Sequence, residues 1–162
     1  MDISPRFDMG EICDKEALKN FLIEHAEGVL KQLGYGLRKD AYVEAMRLEL
    51  SAYTDQCKSN KIFYRKFKVF DKIHNINIGT IDLMFEPRCR NAECYVQITT
   101  GDKIQDEDMI WLLRCLQQVP RVYYRRYYIV VLNFPTDPDG KVTCDGFSDR
   151  DIIPPEYDRF QI

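Results

Sequence analysis

The segment Val122–Phe134, VYYRRYYIVVLNF, constrains the fold most. It opens on tyrosines and arginines and closes as an almost wholly apolar run. A strand that alternates apolar and polar residues can leave one face in water; a strand without a polar face has to be covered on both. Just before it, Met109, Leu112, Leu113, Leu116 and Val119 recur on one helical face behind Asp106, Glu107 and Asp108, acids that suit a helix N-terminus, and Pro120 ends the run. A strand, a crossover helix and a further strand predict a mixed sheet with helices packed on it.

The rest of the chain supplies the other elements. Ala17, Leu18, Phe21, Leu22, Val29, Leu30 and Leu33 predict a helix from Asp14, its N-cap, to Leu33, stopped by Gly34. A second helix is expected from about Lys39 to Tyr53, with Tyr42, Ala45, Met46, Leu48 and Leu50 on its apolar face. Aromatic and β-branched runs then predict strands at Ile62–Phe70, Ile76–Phe85 and Cys94–Thr99, joined by turns at His74-Asn75 and around Pro87 to Ala92, short enough for antiparallel pairing. After the turn PTDPDGK, Val142–Phe147 reads as a last short strand. The expected class is α/β (α+β), a mixed sheet of about five strands flanked by helices, in one domain over residues 1–148. Residues 149–162, DRDIIPPEYDRFQI, have a Pro-Pro pair and no apolar period, and read as an extended tail lying on a neighbour.

Composition excludes several classes. No apolar run approaches the ~18 residues of a bilayer span, and the first twenty residues lack the basic and apolar blocks of a signal peptide, so no membrane partner is expected. Six cysteines include no C-x-x-C pair and there are only two histidines, which leaves little to build a zinc site; free thiols in an intracellular, reducing compartment are expected. The net charge of −3 is unevenly spread: Lys58 to Lys72 carries six Lys or Arg against one Asp, the last 28 residues seven acids against three bases.

Four pieces carry a resemblance: LGYGLRKDAYVEAM (Leu33 to Met46), GTIDLMFE (Gly79 to Glu86), CYVQITTG (Cys94 to Gly101) and Leu132-Asn133-Phe134. In that order they are similar to the GxxExxY family, a branch of the PD-(D/E)xK nuclease superfamily, over roughly residues 14–147. The resemblance implies a restriction-endonuclease-like sheet, with Gly36 and Tyr42 at the naming glycine and tyrosine and Asp82 at the catalytic aspartate. It also implies a divalent cation, usually Mg²⁺, held by carboxylates that lower the pKa of an attacking water.

The chain departs from that pattern at charged positions. The glutamate of GxxExxY falls on Lys39, and the Glu and Lys of E-x-K fall on Gln97 and Thr99. One carboxylate with neutral oxygens is a poor Mg²⁺ site, and Lys39 puts a cation where a cation should bind, so a Lys39–Asp82 ion pair is expected. The vestigial site is then Asp82, Gln97, Thr99, Lys39 and Tyr42, with no cofactor. Rescue, with Lys39 standing in for the strand lysine and Asp40, Glu44 or Glu86 for a lost acid, is the weaker reading: Glu86 lies about 13 Å along its strand from Asp82, and Asp40 is turned ~100° around the helix from Lys39.

Two functions follow. The first is an inactive nuclease-fold protein acting as a structural or protein-interaction component, with partners met in part through the 149–162 tail; the resemblance extends to large DNA viruses, which makes the virion one such setting. The second is a nucleic-acid-binding protein, or a Mg²⁺-dependent nuclease with a rearranged site, with Arg65, Lys66, Lys68, Arg121, Arg125 and Arg126 as the phosphate-binding candidates. Tyr42 as core, Asp82 as a solvent-facing strand acid, the basic segments as solvated strand faces and His25 as a surface or boundary residue of the first helix are the plainer alternatives.

Overall fold

A computed structural model describes residues 14–54, 57–86, 92–119 and 126–151. In chain order the elements are helices α1 (Lys15–Leu33) and α2 (Lys39–Ser51), strands β1 (Cys57–Val69), β2 (Lys72–Phe85) and β3 (Ala92–Thr100), helix α3 (Asp106–Gln118), and strands β4 (Arg126–Phe134) and β5 (Thr143–Ser148). The sheet runs β1-β2-β3-β4-β5, antiparallel except for the parallel β3–β4 pair, which α3 connects. The expected α/β architecture of a mixed five-stranded sheet flanked by helices is present.

Local chemistry explains the helix ends. Asp14 accepts the Ala17 N–H at 2.8 Å, satisfying an amide that the first turn of α1 leaves without a partner. Gly34, at φ 90°, closes the helix by donating its N–H to the Leu30 carbonyl. Asp108 accepts the Gln105 N–H and holds the start of α3.

The sheet separates two apolar layers. On one side α1 and α2 place Leu18, Phe21, Leu22, Tyr42, Met46 and Leu50 against Val96, Ile98, Val130, Leu132 and Phe134. On the other, Leu112, Cys115 and Leu116 of α3 cover Tyr95, Tyr127, Ile129 and Val131. β4 therefore alternates between two covered faces, which is why its apolar run has no polar side. Full burial of each large aliphatic side chain there contributes roughly 1.5–3 kcal/mol.

Three expectations are corrected. The β1–β2 turn is Phe70-Asp71, not His74-Asn75, which continue the ladder opposite Phe67 and Lys66. Phe70 takes φ 56°, the positive value that a two-residue hairpin loop demands, although Phe-Asp lacks the Gly or Asn that usually announces one. Leu48 is 58% exposed and does not join the face formed by Tyr42, Met46 and Leu50, spaced one helical turn apart. Residues 149–151 are a helical turn docked on the domain and not the start of an extended tail: Asp149 accepts from Arg126 Nε and the Tyr127 N–H, and Asp151 from Lys15 Nζ and the Ser148 N–H. Burial pushes the Asp151 carboxyl up, but the bonds from Ser148 and Lys15 outweigh it and hold it below the usual range. Residues 152–162 and the expected turn at 87–91 lie outside the described residues. His25, expected at the surface or boundary of the first helix, is half-buried: its ring packs against Phe21 and Tyr53, with Nδ1 2.9 Å from Glu49 Oε1 of α2.

Candidate functional site

The site grows from a fork in the sheet. β2 and β3 pair only at Leu83–Val96, Met84–Tyr95 and Phe85–Cys94, and beyond those pairs the ladder stops. A buried amide has to find another acceptor at such a point. The Ile98 N–H finds it in a side chain, donating to Asp82 Oδ2 at 2.8 Å.

Asp82 also marks a change of face. Leu83 and Phe85 belong to the α1/α2 layer, while Ile81, two residues before Leu83, belongs to the α3 layer. On β1 the neighbouring pairs are Ser59–Leu83 and Lys61–Ile81; between them Asn60 stands at φ 55°, a conformation that asparagine tolerates better than most residues.

Lys39, the first residue of α2, reaches this carboxylate from the helix side, with Nζ 3.0 Å from Asp82 Oδ2. The pair joins a side chain 38% exposed to one 12% exposed. The same carboxylate oxygen thus meets an ammonium and a backbone amide. Both partners are hydrogen-bond donors, so a divalent cation on this oxygen would have to displace the ammonium.

The other predicted positions turn to other partners. Tyr95 of β3 belongs to the α3 layer, and the two-residue period puts Gln97 and Thr99 on its side. Thr99 Oγ1 donates to Asn133 Oδ1 at 2.8 Å, and Asn133 Nδ2 donates to the Gly101 carbonyl at 3.0 Å. Gln97 Oε1 is buried without a hydrogen-bond partner. Tyr42 stacks on Phe134, donates its hydroxyl proton to the Gly34 carbonyl and accepts the Leu37 N–H. It is therefore a tie between α2, β4 and the loop after α1. Of the rescue acids, Asp40 lies 3.7 Å from Arg38 and Glu44 makes two bonds to Arg47. Among the described residues, no group of three His, Cys, Asp or Glu side chains is placed to hold a metal ion.

The phosphate-binding candidates divide. Arg65, Lys66 and Lys68 are exposed on β1. Arg126 is tied to Asp149 at 3.0 Å and lies over the Tyr128 ring, so its cation is already engaged. Arg121 and Arg125 lie outside the described residues. Among the described residues, no helix is long and apolar enough to cross a membrane. A cleft of about 400 Å³ between the end of α1 and the loop at Gly140 is lined by none of the predicted site residues.

The sequence reading missed the Thr99–Asn133–Gly101 chain. Its available signal was Asn133, the one strongly polar residue in the apolar run of β4, since a buried amide needs partners.

No protein-family model matches the chain, and no curated protein does. A solved structure titled "Crystal structure of SSO0001" superposes with a TM-score of 0.37 at 12% identity, over 75% of this chain. The chain spans 57% of that protein's length.

Proposed function

We propose that the protein is a catalytically inactive member of the nuclease-like group it resembles, working as a structural or protein-interaction component. The observation that carries this reading is the Lys39 ammonium 3.0 Å from Asp82, on the same carboxylate oxygen that accepts the Ile98 N–H. A metal-dependent nuclease needs that carboxylate free for its cation; here it joins a helix to a strand fork. Support comes also from Thr99, whose hydroxyl is bound to Asn133 and takes no part in charge stabilisation. The test is incubation of the purified protein with DNA and RNA in Mg²⁺ or Mn²⁺. No cleavage is expected, and cleavage abolished by Asp82→Ala would overturn the proposal.

The second reading, nucleic-acid binding without cleavage, draws on Arg65, Lys66 and Lys68, exposed cations on one strand. It predicts affinity that falls steeply with added salt, as expected when phosphate contacts release counterions. Undetectable binding to DNA and RNA at low salt removes it.

A further inference from the structure

The β1–β2 hairpin leaves the body of the domain beyond Phe63. Every residue from Tyr64 to Asn77 is exposed, and six of them are large apolar side chains: Tyr64 49%, Phe67 55%, Val69 41%, Phe70 92%, Ile73 61% and Ile76 46% exposed. β1 is the first strand of the sheet, so its outer edge presents backbone donors and acceptors that no other strand among the described residues pairs. Long, apolar free edges tend to recruit another strand unless charge or shape prevents it.

The ladder sorts the side chains of this arm. Pairs Arg65–Ile76, Phe67–His74 and Val69–Lys72 share one face, and Tyr64–Asn77, Lys66–Asn75 and Lys68–Ile73 share the other. Along β1 itself, Phe67 and Val69 follow Arg65 on the first face, while Lys66 and Lys68 follow Tyr64 on the second. A strand added beside β1 would set its own alternating side chains against these two rows.

The charges select the occupant. A second copy adding β1 to β1 brings Arg65, Lys66 and Lys68 beside cations of the same kind, which opposes the pairing. A nucleic-acid backbone satisfies the lysines but gives Phe67, Val69 and Ile76 no apolar surface on which to leave water. An extended protein segment with acids on one face and apolar side chains on the other satisfies both rows and the free backbone together. We infer that the outer edge of β1 is a β-augmentation site for an extended acidic segment in which acidic and apolar residues alternate. This deepens the protein-interaction reading above and rests on it.

The probe is a capped synthetic peptide alternating Glu and Val, titrated against the intact protein and followed by fluorescence anisotropy. Three comparison peptides separate the contributions: alternating Lys and Val, Glu throughout, and the Glu–Val peptide with one central proline. The Glu–Val peptide is expected to bind best, with at least about tenfold loss for each comparison peptide. Lys66→Glu together with Lys68→Glu, both at exposed positions, should reverse the preference to the Lys–Val peptide. Equal binding of the Glu and Glu–Val peptides would reduce the effect to charge alone and overturn the inference. So would binding unaffected by proline, or a short DNA duplex that binds the arm while the Glu–Val peptide does not. Cleavage of nucleic acid with Mg²⁺ or Mn²⁺ is scored separately: it removes the functional reading, whereas failure of the peptide titration removes only this site.

Discussion

Lys39 Nζ and Asp82 Oδ2 lie 3.0 Å apart, and the same oxygen accepts the amide proton of Ile98. One carboxylate therefore links the start of α2 to the point where β2 and β3 separate. The two partners contribute unequally. Lys39→Met removes an ammonium that is partly screened by water and should cost about 1 kcal/mol. Asp82→Ala also leaves a buried amide without an acceptor and should cost about 2–3 kcal/mol. The double variant should cost no more than Asp82→Ala alone, because the ion pair is already lost. Urea unfolding of the three variants checks the order; a larger loss in Lys39→Met would show that the ammonium has a further partner.

Tyr42 and Phe134 stack with centroids 4.3 Å apart and ring planes at 9°. Tyr42→Phe keeps the stack and loses the bonds to Gly34 and Leu37, for an expected cost of about 1 kcal/mol. Tyr42→Ala empties a fully packed position and should cost about 3–5 kcal/mol. Thermal and urea unfolding distinguish the two; equal losses would mean that the hydroxyl, and not the ring, carries the stability.

Gly79 sits at φ 135°, and a Cβ there would lie 2.7 Å from the Trp111 ring of α3. The Trp111 ring thus lies directly over the Gly79 backbone of β2. Gly79→Ala should destabilise by about 2 kcal/mol or more, through both backbone conformation and contact. Adding Trp111→Ala should relieve the steric part of that cost, so the pair of changes should cost less than the sum of the two single variants. Simple additivity would assign the whole effect to the backbone.

The four described cysteines are free thiols. Burial pushes Cys57 up to about 11 and Cys115 and Cys144 to about 12, and raises Cys94 as well. Folded pKa values above the unfolded thiol value of about 8.5 mean that the folded chain keeps protons that the unfolded chain releases. Their contribution is therefore complete below about pH 8.5 and declines as pH rises toward the folded values. Urea midpoints in reducing buffer should be steady up to about pH 8 and fall by about pH 10. The same burial should leave Cys94, Cys115 and Cys144 unlabelled by a thiol reagent at neutral pH until urea unfolds the chain, read by mass spectrometry of the modified peptides. Rapid labelling of these three in the folded protein would contradict the packing.

The periodicities made the element order legible, since an apolar face needs only local repetition to be seen. The same holds for Asp14 as a cap and Gly34 as a stop, where the deciding atoms are three or four residues apart. The Phe70-Asp71 turn was not legible because phenylalanine does not favour positive φ in isolation; the hydrogen-bonded ladder on either side imposes it. The Lys39–Asp82 pair was legible through the resemblance that aligned the two positions. The fate of Thr99 was not, because its partner Asn133 lies 34 residues away on a strand whose parallel register only the fold defines.

By itself the sequence determined which stretches become helices and strands, and that β4 must be covered on both faces. These follow from side-chain type and short-range spacing. The tertiary structure alone decided that β2 changes face at Asp82, that Ile98 and Lys39 share one oxygen, that Arg126 is tied to Asp149 while the cations of β1 stay exposed, and that an apolar arm extends past the sheet. Those features depend on strand register and on pairings between residues far apart in the chain, where desolvation and hydrogen-bond satisfaction are settled only once all the elements are packed.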